Sequence, residues 1–158
     1  MHKLIENIIK DNDFPEGENW QKIDFSANDI ILEAGTHNQE LYLVEKGQVS
    51  ILSKVNLEGG GNIHPGVADL TENDVFGEMS LFSDELCNTT VKAVSDCCLI
   101  KIDGKALLDF LEKHPVIGFH LYEKILKVLT SRLRKTNQQF GNVMAWGIKA
   151  HGLNKELS

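Results

Sequence analysis

Short apolar runs separated by turn residues dominate the first two thirds of the sequence. From Ile30 onward, β-branched and aromatic residues gather in runs bounded by Gly35, Gly47 or a polar turn. The runs are 29–33, 40–44, 48–52, 90–94 and 98–102. Short strands at nearly even spacing are typical of a β-sandwich or barrel. We therefore predict a mainly β domain with flanking helices.

Residues 54–69 interrupt this pattern with a glycine triplet and a His-Pro-Gly sequence. We predict a long hairpin connection here. The triplet is not followed by the Lys-Ser or Lys-Thr of a nucleotide-binding loop, which favours the hairpin.

Helices are predicted on both sides of the strands. Residues 4–10 and 18–23 form short helical pieces, because Pro15 and Gly17 break the chain between them. Beyond the strands, Asp103 is a candidate N-cap for a helix over 105–113, which Pro115 ends.

A longer helix is predicted over residues 116–140. Its apolar residues recur at steps of three, four or seven and therefore lie on one face. They are Ile117, Leu121, Ile125, Val128, Leu129, Leu133 and Phe140. We expect the apolar tail 141–148 to pack as a further helical turn.

The composition is typical of one soluble globular domain. The chain has 158 residues, 42% hydrophobic and 25% charged. We predict a single domain over 1–158, with helices in 1–23, a β-roll in 24–102 and C-terminal helices in 103–150. No apolar segment fits a signal peptide or a membrane span, so we expect a cytoplasmic protein that does not bind membranes. Three cysteines, an odd number, indicate free thiols.

The charge is divided unevenly along the chain. Residues 1–100 carry 18 acidic and 6 basic side chains, a net charge of −12, whereas residues 101–158 carry 5 acidic and 10 basic, a net charge of +5. An acidic surface repels nucleic acid. Arg132, Arg134 and Lys135 come near the predicted end of the long helix, where the helix dipole favours cations. Fewer than twenty residues follow Phe140, too few for a helix-turn-helix module, so we expect no nucleic-acid partner.

The stretch from Asp74 to Val91 carries the candidate chemistry. Gly77 permits a sharp turn between a strand that ends at Phe76 and a short helix over 78–82. The first N–H groups of a helix have no partner inside it and point along the positive end of its dipole. Such a turn binds a phosphate through the backbone alone, and Glu78 beside it is an acceptor suited to sugar hydroxyls.

Residues 76–93, here called the cassette, resemble the phosphate-binding cassette of cyclic nucleotide-binding domains. The similarity lies in Phe-Gly-Glu-Met-Ser-Leu at 76–81 and in Thr-Val-Lys-Ala at 90–93. Segments 28–35, 41–44 and 47–51 are similar to the opening strands of the same family. The resemblance implies a double-stranded β-helix, or jelly-roll, followed by C-terminal helices. It also implies a ligand site made of Phe76, Gly77, Glu78, Met79, Ser80, Cys87, Asn88, Thr89 and Thr90.

In the family, the cassette glutamate binds the ribose 2′-OH and an arginine binds the cyclic phosphate. The arginine position falls on Cys87 in this sequence. Losing a charged hydrogen bond weakens binding by roughly ten- to a hundredfold. Lys92 does not replace it, because alternation with Val91 on a strand directs Lys92 outward. Asn73 stands where the family has a turn glycine, a mild departure because Asn tolerates positive φ.

The resemblance therefore predicts a non-enzymatic regulatory or sensor domain with a degenerate phosphate site. Its effector would be cAMP, cGMP or another small ligand, and no cofactor is assigned. Glu78 also has an explanation without a ligand, since glutamate is favourable at a helix start. Cys87 is either a replacement of an unneeded arginine or a reactive thiol near a helix N-terminus.

Two other classes of function stay open. The first is a ligand-free interaction module, which forms a homodimer through the helix 116–140 or binds a separate effector protein. The second is a metal-dependent enzyme of the cupin type, which shares the jelly-roll. Cupins need closely spaced histidines, but those of this chain are dispersed at His37, His64, His114, His120 and His151.

Overall fold

The computed structural model describes residues 1–53, 55–56, 62–63 and 66–150. The chain forms two compact units, Met1–Phe119 and His120–Ser158. The first unit contains the strands described below and the first two helices, and the second contains most of the last helix. The single domain expected over 1–158 stays a prediction.

The first unit begins with a helix, continues through short strands and ends with a second helix. The helices are α1 (His2–Ile9) and α2 (Gly104–Lys113). The strands are β1 (Trp20–Phe25), β2 (Ile30–Leu32), β3 (Glu40–Lys46), β4 (Val49–Ser53), β5 (Val55–Asn56), β6 (Asn62–Ile63), β7 (Gly66–Leu70), β8 (Val75–Phe76), β9 (Thr89–Ala93) and β10 (Cys97–Asp103). A 3₁₀ helix, η1 (Glu78–Leu81), follows β8.

The strands form two antiparallel four-stranded sheets. The first sheet has the order β1-β10-β3-β8 and the second has the order β2-β9-β4-β7. β5 and β6 form a separate two-stranded antiparallel pair. The pair agrees with a hairpin in 54–69, although residues 54, 57–61 and 64–65 lie outside the described residues.

The main core consists of apolar side chains contributed by both sheets. Tyr42, Val44 and Leu99 come from the first sheet, and Val49, Ile51, Val91 and Ala93 come from the second. In each strand these residues alternate with side chains on the other face, as a pleated strand requires. This shared core is what makes the two sheets one barrel.

The first sheet is buried on both faces. Leu41, Leu43, Ile100 and Ile102 alternate with the barrel residues and are also buried. Helix α2 lies beside β10 and buries Leu107, Phe110 and Leu111. Phe14 packs edge-on against Phe110, with ring centroids 5.3 Å apart. A second apolar layer therefore stabilises this sheet from outside the barrel.

Helix α3 (Pro115–Ala150) is longer than predicted, because it continues ten residues beyond Phe140. The structure buries the first part of the predicted apolar face and exposes its later part. Leu121 and Ile125 are buried, whereas Leu133 and Phe140 are 60% and 66% exposed. Within the described residues, no helix combines the length and hydropathy that crossing a bilayer requires.

The strand predictions are confirmed at 29–33, 40–44, 48–52, 90–94 and 98–102, within one or two residues at each end. The prediction of a helix over 18–23 is wrong, because Trp20–Phe25 forms β1. Its residues pair with β10 from Trp20 opposite Ile102 to Phe25 opposite Cys97. These hydrogen bonds to a distant strand stabilise the extended conformation over any local helical preference.

Candidate functional site

The cassette begins with the sharp turn that the sequence predicts. β8 ends at Phe76, and Gly77 adopts the left-handed conformation with φ 85° and ψ 1°. The helix that follows is a 3₁₀ helix, in which the Ser80 N–H donates to the Gly77 carbonyl at 3.2 Å. Gly77 therefore links the end of β8 directly to the start of η1.

The space around Gly77 excludes any side chain. A Cβ at this position would lie 2.5 Å from the carbonyl oxygen of Glu40 and 3.4 Å from Tyr42 Cδ2. Asn38 Nδ2 would lie 3.5 Å away, and it donates to the same Glu40 carbonyl at 2.9 Å. Asn38 is itself buried. The turn is thus seated directly on the start of β3.

Tyr42 connects this turn to the barrel interior. Its ring stacks on Phe76 with centroids 4.9 Å apart and planes 5° apart. Its hydroxyl donates to Glu40 Oε2 at 2.9 Å, and Glu40 forms an ion pair with Lys101. Burial, the Glu40 carboxylate and the nearby Cys87 thiol raise the pKa of Tyr42 well above its ordinary value. The phenol therefore stays a hydrogen-bond donor at neutral pH.

Glu78 lies immediately after the turn and is almost completely buried, with 1% of its surface exposed. A glutamate that only complements a helix dipole needs no burial, since that interaction operates at the surface. Burying a carboxylate is costly unless specific interactions compensate for it. The explanation of Glu78 as a simple helix-start residue therefore does not account for its burial.

The second half of the cassette is fixed by the turn at residues 34–36. The Cys87 N–H donates to the Thr36 carbonyl at 2.9 Å, and the Gly35 N–H donates to the Cys87 carbonyl at 2.7 Å. The Ala34 N–H donates to Thr90 Oγ1 at 3.2 Å. Cys87, the residue at the arginine position, therefore has its backbone held on both sides.

The remaining predicted site residues differ in exposure. Met79 is 58% exposed, Asn88 is exposed, and Ser80 and Thr89 are half-buried. Val91 and Ala93 face the core, so alternation places Thr89 on the barrel face of β9 and Thr90 on its outer face. The same alternation directs Lys92 outward, as predicted.

Tyr42 lies beside the first half of the cassette, because its ring stacks on Phe76. The Cys87 thiol, in the second half, contributes to the raised pKa of Tyr42. The sequence analysis did not identify Asn38, Glu40 or Lys101 as neighbours of the site. The available signal was the alternation along β3, which places Glu40 and Tyr42 on one face.

The other two cysteines are free thiols on β10. Cys97 is buried in the core, whereas Cys98 is half-buried on the opposite face and donates to Glu45 Oε2 at 3.4 Å. Burial, Asp24 and Glu45 raise the pKa of Cys98 to about 12. Cys98 is therefore a protonated, unreactive thiol at neutral pH.

Within the part of the chain that the structure describes, no three His, Cys, Asp or Glu side chains converge in a way that suits a metal ion. His64 and His151 lie outside the described residues. His114 stacks on Phe110, with ring centroids 4.2 Å apart, and so belongs to the apolar layer beneath α2.

Comparison with known proteins identifies relatives for most of the first unit. The family model of the cyclic nucleotide-binding domain matches residues 22–114. A CRP-like cAMP-activated global transcriptional regulator of Mycobacterium tuberculosis is 25% identical over 124 residues, which are 78% of this chain and 52% of the regulator. The chain thus spans about half the length of this curated relative.

Solved structures agree with this match. The Thermus thermophilus catabolite activator protein superposes with a TM-score of 0.62 at 25% identity, over 79% of this chain and 55% of that chain. A cyclic nucleotide-binding domain from Methylobacillus flagellatus superposes with a TM-score of 0.68 at 20% identity, over 77% and 66% of the two chains. The predicted jelly-roll with C-terminal helices is confirmed.

Proposed function

The chain belongs to the cyclic nucleotide-binding domain family, and we propose that it is a non-enzymatic regulatory sensor whose cassette binds a small ligand. In this proposal, binding of cAMP or cGMP is weakened by Cys87. The observation that carries the proposal is the close packing of the left-handed Gly77 against the Glu40 carbonyl, which leaves no room for a Cβ. The buried Glu78 follows directly after it. A turn under this much constraint supports a ligand-binding role.

Each half of the site has a distinct role in this proposal. The backbone N–H groups at the start of η1 bind the anionic part of the ligand, and Glu78 accepts hydrogen bonds from its hydroxyl groups. Cys87 offers a weak donor without positive charge in place of a bidentate arginine. The site therefore favours a ligand that is less anionic than a cyclic nucleotide, or binds a cyclic nucleotide weakly.

The ligands to test first are cAMP and cGMP, because the M. tuberculosis relative is described as cAMP-activated. We expect Cys87→Arg to bind a cyclic nucleotide roughly ten- to a hundredfold more tightly than the natural chain. Thermal unfolding measures this, since ligand at a hundred times its dissociation constant stabilises the fold by about 2.7 kcal/mol. Cys87→Ser is the matched control, because it changes the thiol without adding a cation.

The outcomes test two claims separately: that the phosphate cradle is intact, and that the natural ligand is a cyclic nucleotide. A transition that shifts only in Cys87→Arg supports an intact phosphate cradle and a different natural ligand. If millimolar cAMP and cGMP leave both proteins unchanged, the cradle does not function and the sensor proposal fails. Glu78→Gln in the Cys87→Arg background then tests the carboxylate, and we expect it to remove most of the gained affinity.

A second candidate function is a ligand-free interaction module that forms a homodimer through the helix 116–140. The exposure of Leu133 and Phe140 on α3 favours it. Leu121 and Ile125 are unsuitable for testing it because both are buried. Sedimentation of the natural chain against Leu133→Ser/Phe140→Ser tests this candidate, and a monomeric natural chain contradicts it.

Cytoplasmic location and the absence of a nucleic-acid partner stay predictions. The proposal of a role without enzymatic activity rests on the likeness to regulatory domains of this family.

A further inference from the structure

The end of the barrel that carries the cassette also holds a basic side chain, Lys101. This residue lies on β10 directly opposite Tyr42 of β3. Opposite residues of an antiparallel pair point to the same face of the sheet, and Tyr42 belongs to the core between the two sheets. The side chain of Lys101 is therefore on the barrel face, whereas its neighbours Ile100 and Ile102 point to the outer layer.

Lys101 differs in this position from the other basic residues of the described strands. Lys22 pairs with Glu45 on the outer face of the first sheet, and Lys46 is exposed at the opposite end of β3. Lys92 points outward from β9. Among the strands that the structure describes, Lys101 is thus the basic residue on the barrel face beside the cassette.

Two side chains of β3 connect Lys101 to the turn of the cassette. The Lys101 ammonium forms an ion pair with Glu40, and the other carboxylate oxygen of Glu40 accepts from the Tyr42 hydroxyl at 2.9 Å. The backbone carbonyl of the same glutamate is the group against which Gly77 packs. The ring of Tyr42 stacks on Phe76, the residue before that glycine. One carboxylate and one phenol therefore separate Lys101 from the turn.

The arginine position of the cassette lies beside the same phenol. The Cys87 thiol contributes to the raised pKa of Tyr42, and an electrostatic effect of this kind weakens with distance. Lys101 and Cys87 are therefore both neighbours of the Tyr42 side chain. The four-carbon stem of a lysine is flexible, so its ammonium can adjust its position between neighbouring acceptors.

We propose that Lys101 supplies the positive charge that the cassette lacks at Cys87, and that Glu40 and Tyr42 hold its ammonium in place. This inference rests on the proposed function, because it concerns the ligand of the same site. An ammonium has three N–H donors, and the ion pair with Glu40 occupies one of them. The other donors bind an anionic oxygen of the ligand.

Glu40 limits how much charge that ligand carries. The Lys101 and Glu40 side chains are only 28% and 30% exposed, so solvent screens their fields less than it screens those of a surface pair. The Glu40 carboxylate offsets much of the attraction of the ammonium for an anion. The ligand class that fits is therefore a small molecule with a single negative charge, such as a phosphodiester or a carboxylate.

The reactivity of Cys87 measures the charge at this position without a nucleotide. The probes are a dianionic nitrobenzoate disulfide and a neutral pyridyl disulfide, both of which exchange with a thiolate. The thiol pKa and its accessibility affect both rates, whereas the local field affects mainly the anionic probe. Cys98→Ser is the background for all variants, because Cys98 is also only half-buried. Mass spectrometry assigns the product to Cys87.

We expect Lys101→Met to lower the ratio of the anionic rate to the neutral rate by at least about threefold, and Glu40→Gln to raise it. Lys92→Met is the matched control, since it removes the same charge from the outward face of β9 and should leave the ratio unchanged. A pair that only joins β3 to β10 would not change the ratio in opposite directions in the two variants. Lys101→Gln, which can still donate to Glu40, replaces Lys101→Met if circular dichroism shows that the latter is unfolded.

Titration with cAMP tests the role of Lys101 in ligand binding. We expect Lys101→Met to weaken binding by roughly tenfold in the natural chain, since it removes a charged hydrogen bond. Lys101→Arg should retain the affinity. The loss should be smaller in Cys87→Arg, where the arginine supplies the charge instead.

Two results would overturn the proposal. The first is an equal rate ratio in the natural chain, Lys101→Met and Lys92→Met, which shows that Lys101 does not act at Cys87. The second is a natural chain whose affinity for cAMP does not change in Lys101→Met. If neither the natural chain nor Cys87→Arg binds cAMP or cGMP, the sensor function fails, and the rate ratio still decides whether Lys101 places positive charge at the cassette.

Discussion

Gly77 is constrained both by its own backbone and by its neighbours. Its φ of 85° lies in the left-handed region that residues with a Cβ rarely adopt, and a Cβ there would lie 2.5 Å from the Glu40 carbonyl oxygen. We expect Gly77→Ala to lower the free energy of unfolding by about 2 kcal/mol or more, because the conformational cost and the contact with β3 add. Urea denaturation measures the change.

Gly35 provides the matched control for this substitution. It has nearly the same conformation, with φ of 89°, but a Cβ there would have no atom within 4 Å. Gly35→Ala should therefore cost only the conformational part, about 1 kcal/mol. If the two substitutions lower the free energy of unfolding equally, the close contact of Gly77 with the Glu40 carbonyl does not constrain the turn.

Among the elements, α2 depends on the residue that precedes it. Asp103 ends β10 and caps α2, because its Oδ1 accepts from the Ala106 N–H at 2.7 Å. We expect Asp103→Ala to lower the free energy of unfolding by about 0.5–2 kcal/mol, the usual cost of losing an N-cap. The control is Asp109→Ala at an exposed interior position of α2, where alanine is the better helix former.

Chemical denaturation measures the free energy of unfolding of both variants. A loss in Asp103→Ala that Asp109→Ala does not share assigns the effect to the cap. The prediction fails if Asp103→Ala is as stable as the natural chain, since the backbone donor at Ala106 would then be satisfied without the carboxylate.

The predictions of helices and strands are correct where a local pattern determines the structure. They are wrong where contacts with residues far along the chain determine it. The Asp103 cap and the turn at Gly77 follow from residue types a few positions apart. β1 was mistaken for a helix because its partner, β10, lies some eighty residues along the chain. α3 was predicted to end at Phe140, yet it continues through Gly141 to Ala150, because one interior glycine costs a helix only about 1 kcal/mol.

The site shows the same division. Gly77, Glu78 and Cys87 follow from a motif with fixed spacing. Asn38 and Glu40, which lie against the turn, stand just before β3 and at its first residue, nearly forty residues earlier in the chain. No local pattern in the sequence indicates which strand lies next to a given turn, so these neighbours required the structure.

For the whole molecule, the uneven charge predicts a dependence of stability on salt. The chain has a formal net charge of −7, and residues 1–100 have −12. Like charges within a compact fold repel one another, and salt shortens the range of that repulsion to about 8 Å at physiological ionic strength. Surface ion pairs such as Lys22–Glu45 weaken in salt, but each contributes only about 0–1 kcal/mol.

We therefore expect the transition temperature to rise by a few degrees between about 0.01 M and 0.3 M NaCl, because relief of repulsion outweighs the loss of ion pairs. Thermal unfolding followed by circular dichroism measures the rise.

A variant with glutamine or asparagine at four exposed acidic positions, Glu18, Glu72, Asp84 and Glu85, changes the formal net charge from −7 to −3. Its response to salt should be smaller, because screening then has less repulsion to remove. An identical slope in the two proteins would assign the rise to a general salt effect, and a falling transition temperature would show that ion pairs dominate.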